Sequence, residues 1–202
     1  MQLTSSSDVC WALLVGWKTG SLGVLALACL AAAVVLRWLP VAVFVPQFFT
    51  QESAVVPVAL LFAGALGIAM QGTLVEPSPQ VWLLGSGGRR LLRPLRVVLL
   101  VALFLVVVAV LAPPHWLPCA VIVMTMAAEA VLCGRWLGLR LAWIAPGVHA
   151  TASAFLGSRT LVGRSWWAWP ADPAPSLLTV AFAAALLAVS LLLEGFRPKV
   201  DE

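Results

Sequence analysis

The chain has no tyrosine, only two histidines and few charges: charged residues make up 10% of its 202 positions, while 62% are apolar. A soluble domain of this length needs far more polar side chains to cover its surface, so a water-soluble globular fold is excluded. The four cysteines, Cys10, Cys29, Cys119 and Cys133, are scattered without metal-ligand spacing, and they read as small apolar packing residues. No Ser/His/Asp or Cys/His set falls at one expected depth, so neither a metal nor a nucleophile motif is present, and no cofactor is implied. Gly16-Trp17-Lys18-Thr19 looks like the end of a phosphate-binding loop but lacks the glycine-rich run and the strand before it. The basic excess is small, a net charge of +4, and it falls in the links between apolar runs. It reads as an orientation signal for a membrane protein rather than as a nucleic-acid surface.

What is abundant is apolar sequence in long runs, with a mean hydropathy of +1.05. A hydrocarbon core about 30 Å thick takes about 20 residues per helical crossing, which leaves this chain room for about six crossings and short links. The expected class is therefore all-α, a polytopic integral membrane protein forming one transmembrane domain over residues 1–202. The runs are Gly20–Leu36, Ser53–Met70, Val97–Ala112, Pro118–Cys133, Leu141–Leu156 and Leu177–Leu193. Pro57 predicts a kink near the start of the second, where Gly64 and Gly67 would let a neighbouring helix come close. Pro113-Pro114-His115-Trp116 predicts a tight turn that makes the third and fourth runs a hairpin. The fifth, with Pro146 and His149 inside it, is short and comparatively polar.

Four segments outside these runs stand out. Residues 1–18 end in Trp11–Lys18, a short interfacial segment. Residues 71–96 form the longest polar stretch, with Glu76, a glycine-rich turn at Gly85–Gly88, and Arg89, Arg90, Arg93 and Arg96, and read as a cytoplasmic loop carrying a short amphipathic segment. Residues 158–176 form a second connector containing Trp166, Trp167 and Trp169, and residues 38–49, with Pro40 and Pro46, read as an irregular link. An alanine-ended run after Lys18 resembles a secretory signal, but its removal would leave another hydrophobic chain, so a retained first helix is expected. With the arginine-rich loop inside, Lys18, Arg89, Arg90, Arg93, Arg96, Arg135, Arg140, Arg197 and Lys199 are all cytoplasmic, against Arg37, Arg159 and Arg164 outside. Both termini are then cytoplasmic. Arginine over lysine and many alanines point to a bacterial source, and hence to the inner, cytoplasmic membrane.

Ionisable groups inside a span are costly, so the few present are the natural candidates for a site. They are Glu129, in the fourth run, and His149, in the fifth. One reading makes them a polar pair on a substrate or proton path; the other pairs Glu129 with an arginine and His149 with a backbone carbonyl. The turn Gly85–Gly88 followed by Arg89 and Arg90 suits lipid phosphates, or is simply a flexible turn beside positive-inside arginines. The tryptophans near span ends form an interfacial belt, and Trp166, Trp167 and Trp169 also suit a partly inserted hairpin or lid.

In its order of segments the chain resembles the membrane subunit of an ABC transporter of the ABC-2 exporter type. The resemblance covers the whole chain and is architectural: Trp11–Lys18 stands where that family has an interfacial helix, Glu76–Arg96 where it has the ATPase-docking segment, and Ser158–Ser176 where an external connector dips back into the membrane. It implies a permease without enzymatic activity of its own, moving a hydrophobic or amphipathic substrate. Its partners would be membrane lipid, a second membrane subunit and a separate cytoplasmic ATPase, because no nucleotide-binding domain is present. Two other classes remain open: an accessory subunit of a larger membrane complex, suited by the spacings Gly16/Gly20 and Gly134/Gly138, and an intramembrane enzyme acting on lipid, which would need Glu129, His149 and an arginine at one depth.

Overall fold

The computed structural model describes residues 42–46, 53–70, 86–155, 159–160, 163–164, 169 and 174–195, and helical backbone at 27, 28, 30, 31, 34 and 37. Helix dominates. The helices are α1 (Val58–Ala69), α2 (Ser86–Leu111), α3 (Trp116–Leu137), α4 (Ile144–Phe155) and α5 (Leu177–Gly195), with 3-10 turns at Pro113–His115 and Leu139–Leu141. Two short antiparallel pairings accompany them: β1 (Ala42–Pro46) with β2 (Ser53–Pro57), and β3 (Arg159–Thr160) with β4 (Gly163–Arg164).

Among the described residues, three helical segments are long and apolar enough to cross a membrane: Pro94–Leu111, Pro113–Leu137 and Leu177–Gly195. They correspond to the third, fourth and sixth apolar runs of the sequence. The second run differs from expectation, because its first five residues form β2 and only the 12 residues of α1 are helical. Val55 and Val56 are β-branched, and the residue before a proline is pushed out of the helical region, so the chain stays extended until Pro57. At about 1.5 Å per residue α1 is about 18 Å long, shorter than the hydrocarbon core. The fifth run, expected as a crossing over Leu141–Leu156, likewise yields only the 12-residue α4.

The arginine-rich stretch is the other departure. Residues 86–96 are not loop; they are the first part of α2, which runs unbroken for 26 residues through Pro94. Arginine and leucine are good helix formers, and their preference holds the backbone helical up to the proline. Pro94 cannot donate to the carbonyl one turn back, and it sits where the basic part gives way to the apolar span.

Local chemistry ends the helices where they end. Pro113 and Pro114 follow α2, and Ala112 N–H closes its last turn on the Val108 carbonyl at 2.8 Å. Gly138, at φ +86°, terminates α3 in a conformation that side-chain-bearing residues rarely adopt. Ser176 caps α5: its hydroxyl accepts from the Thr179 backbone N–H at 3.2 Å.

α3 is the axis of the bundle, touched by α1, α2, α4 and α5. Of its span 83% of the residues are buried, against 33% for α2 and 28% for α5, so the flanking helices turn apolar faces such as Val106, Val110, Leu178 and Leu192 outward to the lipid. The core around α3 is built from Phe104, Val97 and Val108 of α2, Met70 beside α1, and Met126, Val121 and Val123 of α3 itself. Gly67 sets the α1 contact: a methyl group there would lie 2.9 Å from Met126 Cβ and 3.0 Å from the Val123 carbonyl oxygen. Gly64 is less pressed, its nearest neighbour being Ile122 Cδ1 at 3.5 Å.

Candidate functional site

α2 and α3 are joined by the tight turn and run antiparallel, so Arg96, at the start of the span Pro94–Leu111, lies toward the same end of the bundle as Arg135 near the end of α3. α5 is brought into line by a contact between helices, since Arg135 Nη1 donates to the Leu193 carbonyl. That carbonyl belongs to the last turn of α5, where the helix itself supplies no donor, so the arginine acts as a cap from outside. Arg96, Arg135 and Glu194 thus mark one end of the bundle, and Arg96 and Glu194 are buried there.

About 9 Å along α3 from Arg135, at a rise of about 1.5 Å per residue, stands Glu129. The turn from Gly138 to Trp143 folds α4 back along α3 and sets His149 opposite it. His149 Nδ1 and Glu129 Oε1 are 2.5 Å apart, with side chains 22% and 19% exposed. The pairing of these two residues, rather than Glu129 with Arg135, is what the fold forms; Arg135 is engaged with α5. A carboxylate bonded to Nδ1 fixes the imidazole orientation, so the neutral ring turns an acceptor, Nε2, away from Glu129.

Three further groups surround the pair. Glu129 Oε2 is buried without a hydrogen-bond partner. Ser153, one turn beyond His149 on the same face of α4, is 2% exposed, and its hydroxyl also has no hydrogen-bond partner. Trp169, from the connector before α5, lies edge-on to His149 with ring centroids 6.1 Å apart, and edge-on to Phe182 of α5 at 5.3 Å. Thr125, one turn before Glu129 on α3, is buried but bonds back to the Val121 carbonyl at 2.7 Å.

Of the candidates taken from sequence, Glu129, His149 and Trp169 are therefore brought to one place. Arg89, Arg90, Arg93 and Arg96 lie in the first part of α2, and Glu76, Trp166, Trp167 and residues 1–18 lie outside the described residues. Ser153 was missed, although its position four residues after His149 was a usable signal. The Arg135–Leu193 contact left no local trace. Among the described residues, no three His, Cys, Asp or Glu side chains come together to hold a metal. A serine nucleophile would need its hydroxyl on the imidazole, and the Ser153–His149 bond is not formed. No protein-family model, curated protein or solved structure matches the chain.

Proposed function

We propose that the chain is a permease-type subunit of a multi-subunit transporter in the bacterial inner membrane, with six crossings and both termini cytoplasmic. It works with a second membrane subunit and a separate cytoplasmic ATPase to move a hydrophobic or amphipathic substrate. The observation that carries the reading is the continuity of α2, whose arginine-bearing first part, from Ser86 to Arg96, is one helix with the span Pro94–Leu111. A partner seated on the basic end of a rigid helix moves the span with it, which is the mechanical coupling an ATP-driven permease needs. On this reading the substrate path runs between subunits, a reading supported by the filled core around α3, and alternating access is produced by tilting α2.

The test is co-purification from the native host, followed by reconstitution with whatever ATPase is recovered. ATP-dependent efflux that is lost in the Arg89→Glu, Arg93→Glu double variant, with the membrane subunit still folded, is the expected result. Recovery of no ATPase, together with vesicles showing no ATP-dependent transport, would sink the idea. The solid packing of α3 also suits a second reading, an accessory subunit that braces other membrane chains. On that reading the co-purifying partners are membrane proteins only.

A further inference from the structure

The turn that joins α3 to α4 is fixed from within and apolar from without. Gly138 ends α3 at φ +86°, and the Leu141 N–H closes on the Gly138 carbonyl at 3.1 Å. The Cys133 thiol donates to the Leu141 carbonyl at 3.3 Å, and Ala142 is fully buried. Held this way, the turn presents Trp136, Leu137, Arg140, Leu141 and Trp143 on the outside, the two tryptophans 79% and 56% exposed. Trp143 lies along the first turn of α4, where Gly147 leaves room for its ring: a methyl group at Gly147 would meet Trp143 Cε3 at 3.4 Å. A link surrounded by water is polar. Four large apolar side chains around one cation are the composition of a segment seated in the headgroup layer, with indoles at the boundary and leucines below it.

The hydrogen-bonding capacity of the turn is as one-sided as its charge. Arg140 carries five N–H donors and each indole one, and none of them has an acceptor among the described residues. The two acids among those residues are placed elsewhere: Glu129 is held to His149, and Glu194 is buried. Arg135 adds a second positive charge at this end of the bundle while its Nη1 donates to the Leu193 carbonyl. Such a surface calls for an acceptor that is negatively charged and has hydrocarbon attached to it. A glycerophospholipid has both, since its phosphate oxygens accept from guanidinium and indole N–H groups and its acyl chains lie against leucine. A zwitterionic lipid has the same phosphate but brings a positive charge beside it, so the arginines select lipids of net negative charge.

We propose that the turn from Trp136 to Trp143 is a docking surface for anionic phospholipid, with Arg140 on the headgroup phosphate, the two indoles beside it and Leu137 and Leu141 among the acyl chains. The proposal goes beyond the permease reading and does not need it, because a transporter and an accessory subunit would anchor α3 and α4 in the same way.

The experiment places the full chain in phosphatidylcholine nanodiscs, without any ATPase. A trace of phosphatidylglycerol or of phosphatidylcholine is added, each with a diazirine near the headgroup end of one acyl chain, and the irradiated protein is mapped by peptide mass spectrometry. Residues 136–143 are expected to be labelled about fivefold more by the phosphatidylglycerol probe than by the phosphatidylcholine probe, and high salt should reduce the ratio. Arg140→Gln should bring the ratio close to one, while Arg140→Lys, which keeps the charge, retains most of it. Trp116, 41% exposed at the opposite end of α3 and with no arginine beside it in sequence, is the internal reference and should be labelled equally by both probes. Should Arg140→Gln fail to fold, the two probes on the unaltered chain decide the question. A turn free of lipid adducts, which would mark it as covered by protein, would overturn the proposal. So would equal labelling of the turn by both probes, the same preference at Trp116, or a preference unaltered in folded Arg140→Gln.

Discussion

Replacing Gly67 by alanine puts a methyl group where α1 and α3 meet almost backbone to backbone. The new carbon would stand 2.9 Å from Met126 Cβ, 3.0 Å from the Val123 carbonyl oxygen and 3.3 Å from the Ala127 nitrogen. Two of these atoms are main chain, and the third is the first carbon of a side chain, so no rotamer change relieves the clash and α1 itself has to move. Overpacking of this kind costs about 1–3 kcal/mol. Against that stands a gain of about 1 kcal/mol from replacing glycine inside a helix. Gly64→Ala, three residues earlier on the same helix, has the same propensity gain but meets Ile122 Cδ1 at 3.5 Å, an ordinary contact with the end of a flexible side chain. The difference between the two variants therefore cancels propensity and isolates the contact: Gly67→Ala should be less stable than Gly64→Ala by about 1–3 kcal/mol. Thermal unfolding in detergent, followed by a thiol-reactive dye that reports when buried Cys119 and Cys133 become accessible, orders the pair directly. If Gly67→Ala unfolds at the same temperature as Gly64→Ala or higher, α1 does not sit on α3 as described.

His149→Ala leaves Glu129 buried beside no donor and should cost about 3–5 kcal/mol, the penalty for removing one partner of a buried pair; adding Glu129→Gln to it should recover much of the loss in the same unfolding assay. Arg135→Met removes the donor from the Leu193 carbonyl, and the expected loss of about 1 kcal/mol should be visible as faster amide exchange confined to the last turn of α5. Ser176→Ala removes the cap of α5 and should destabilise by about 1 kcal/mol, whereas Ser176→Asp should not, which circular dichroism melts of the two variants will separate.

Much of the bundle was legible because its signals are local. Apolar run length marked the spans that became α2, α3 and α5, and Pro113-Pro114 marked the turn between the first two. Gly64 and Gly67 were readable as a close-approach face, but which of them touches depends on the rotation of α1 against α3. The second apolar run was misjudged at its start because hydropathy is blind to conformation: Val55, Val56 and Pro57 are as apolar as a helix needs and still stay extended. The arginine stretch erred the other way, its polarity suggesting loop although its residues favour helix.

Sequence alone determined the solvent of this protein, the approximate places of its long helices and the two ionisable residues worth watching, since these follow from composition and from periodicity along the chain. It left Glu129 with two possible partners. Tertiary structure chose between them, because Gly138 ends α3 and turns α4 back along it, setting His149 against Glu129, while α5 takes Arg135 for its own unsatisfied carbonyl. Separated by 20 residues in one case and 58 in the other, those pairings depend on how helices lie side by side, which no local pattern encodes.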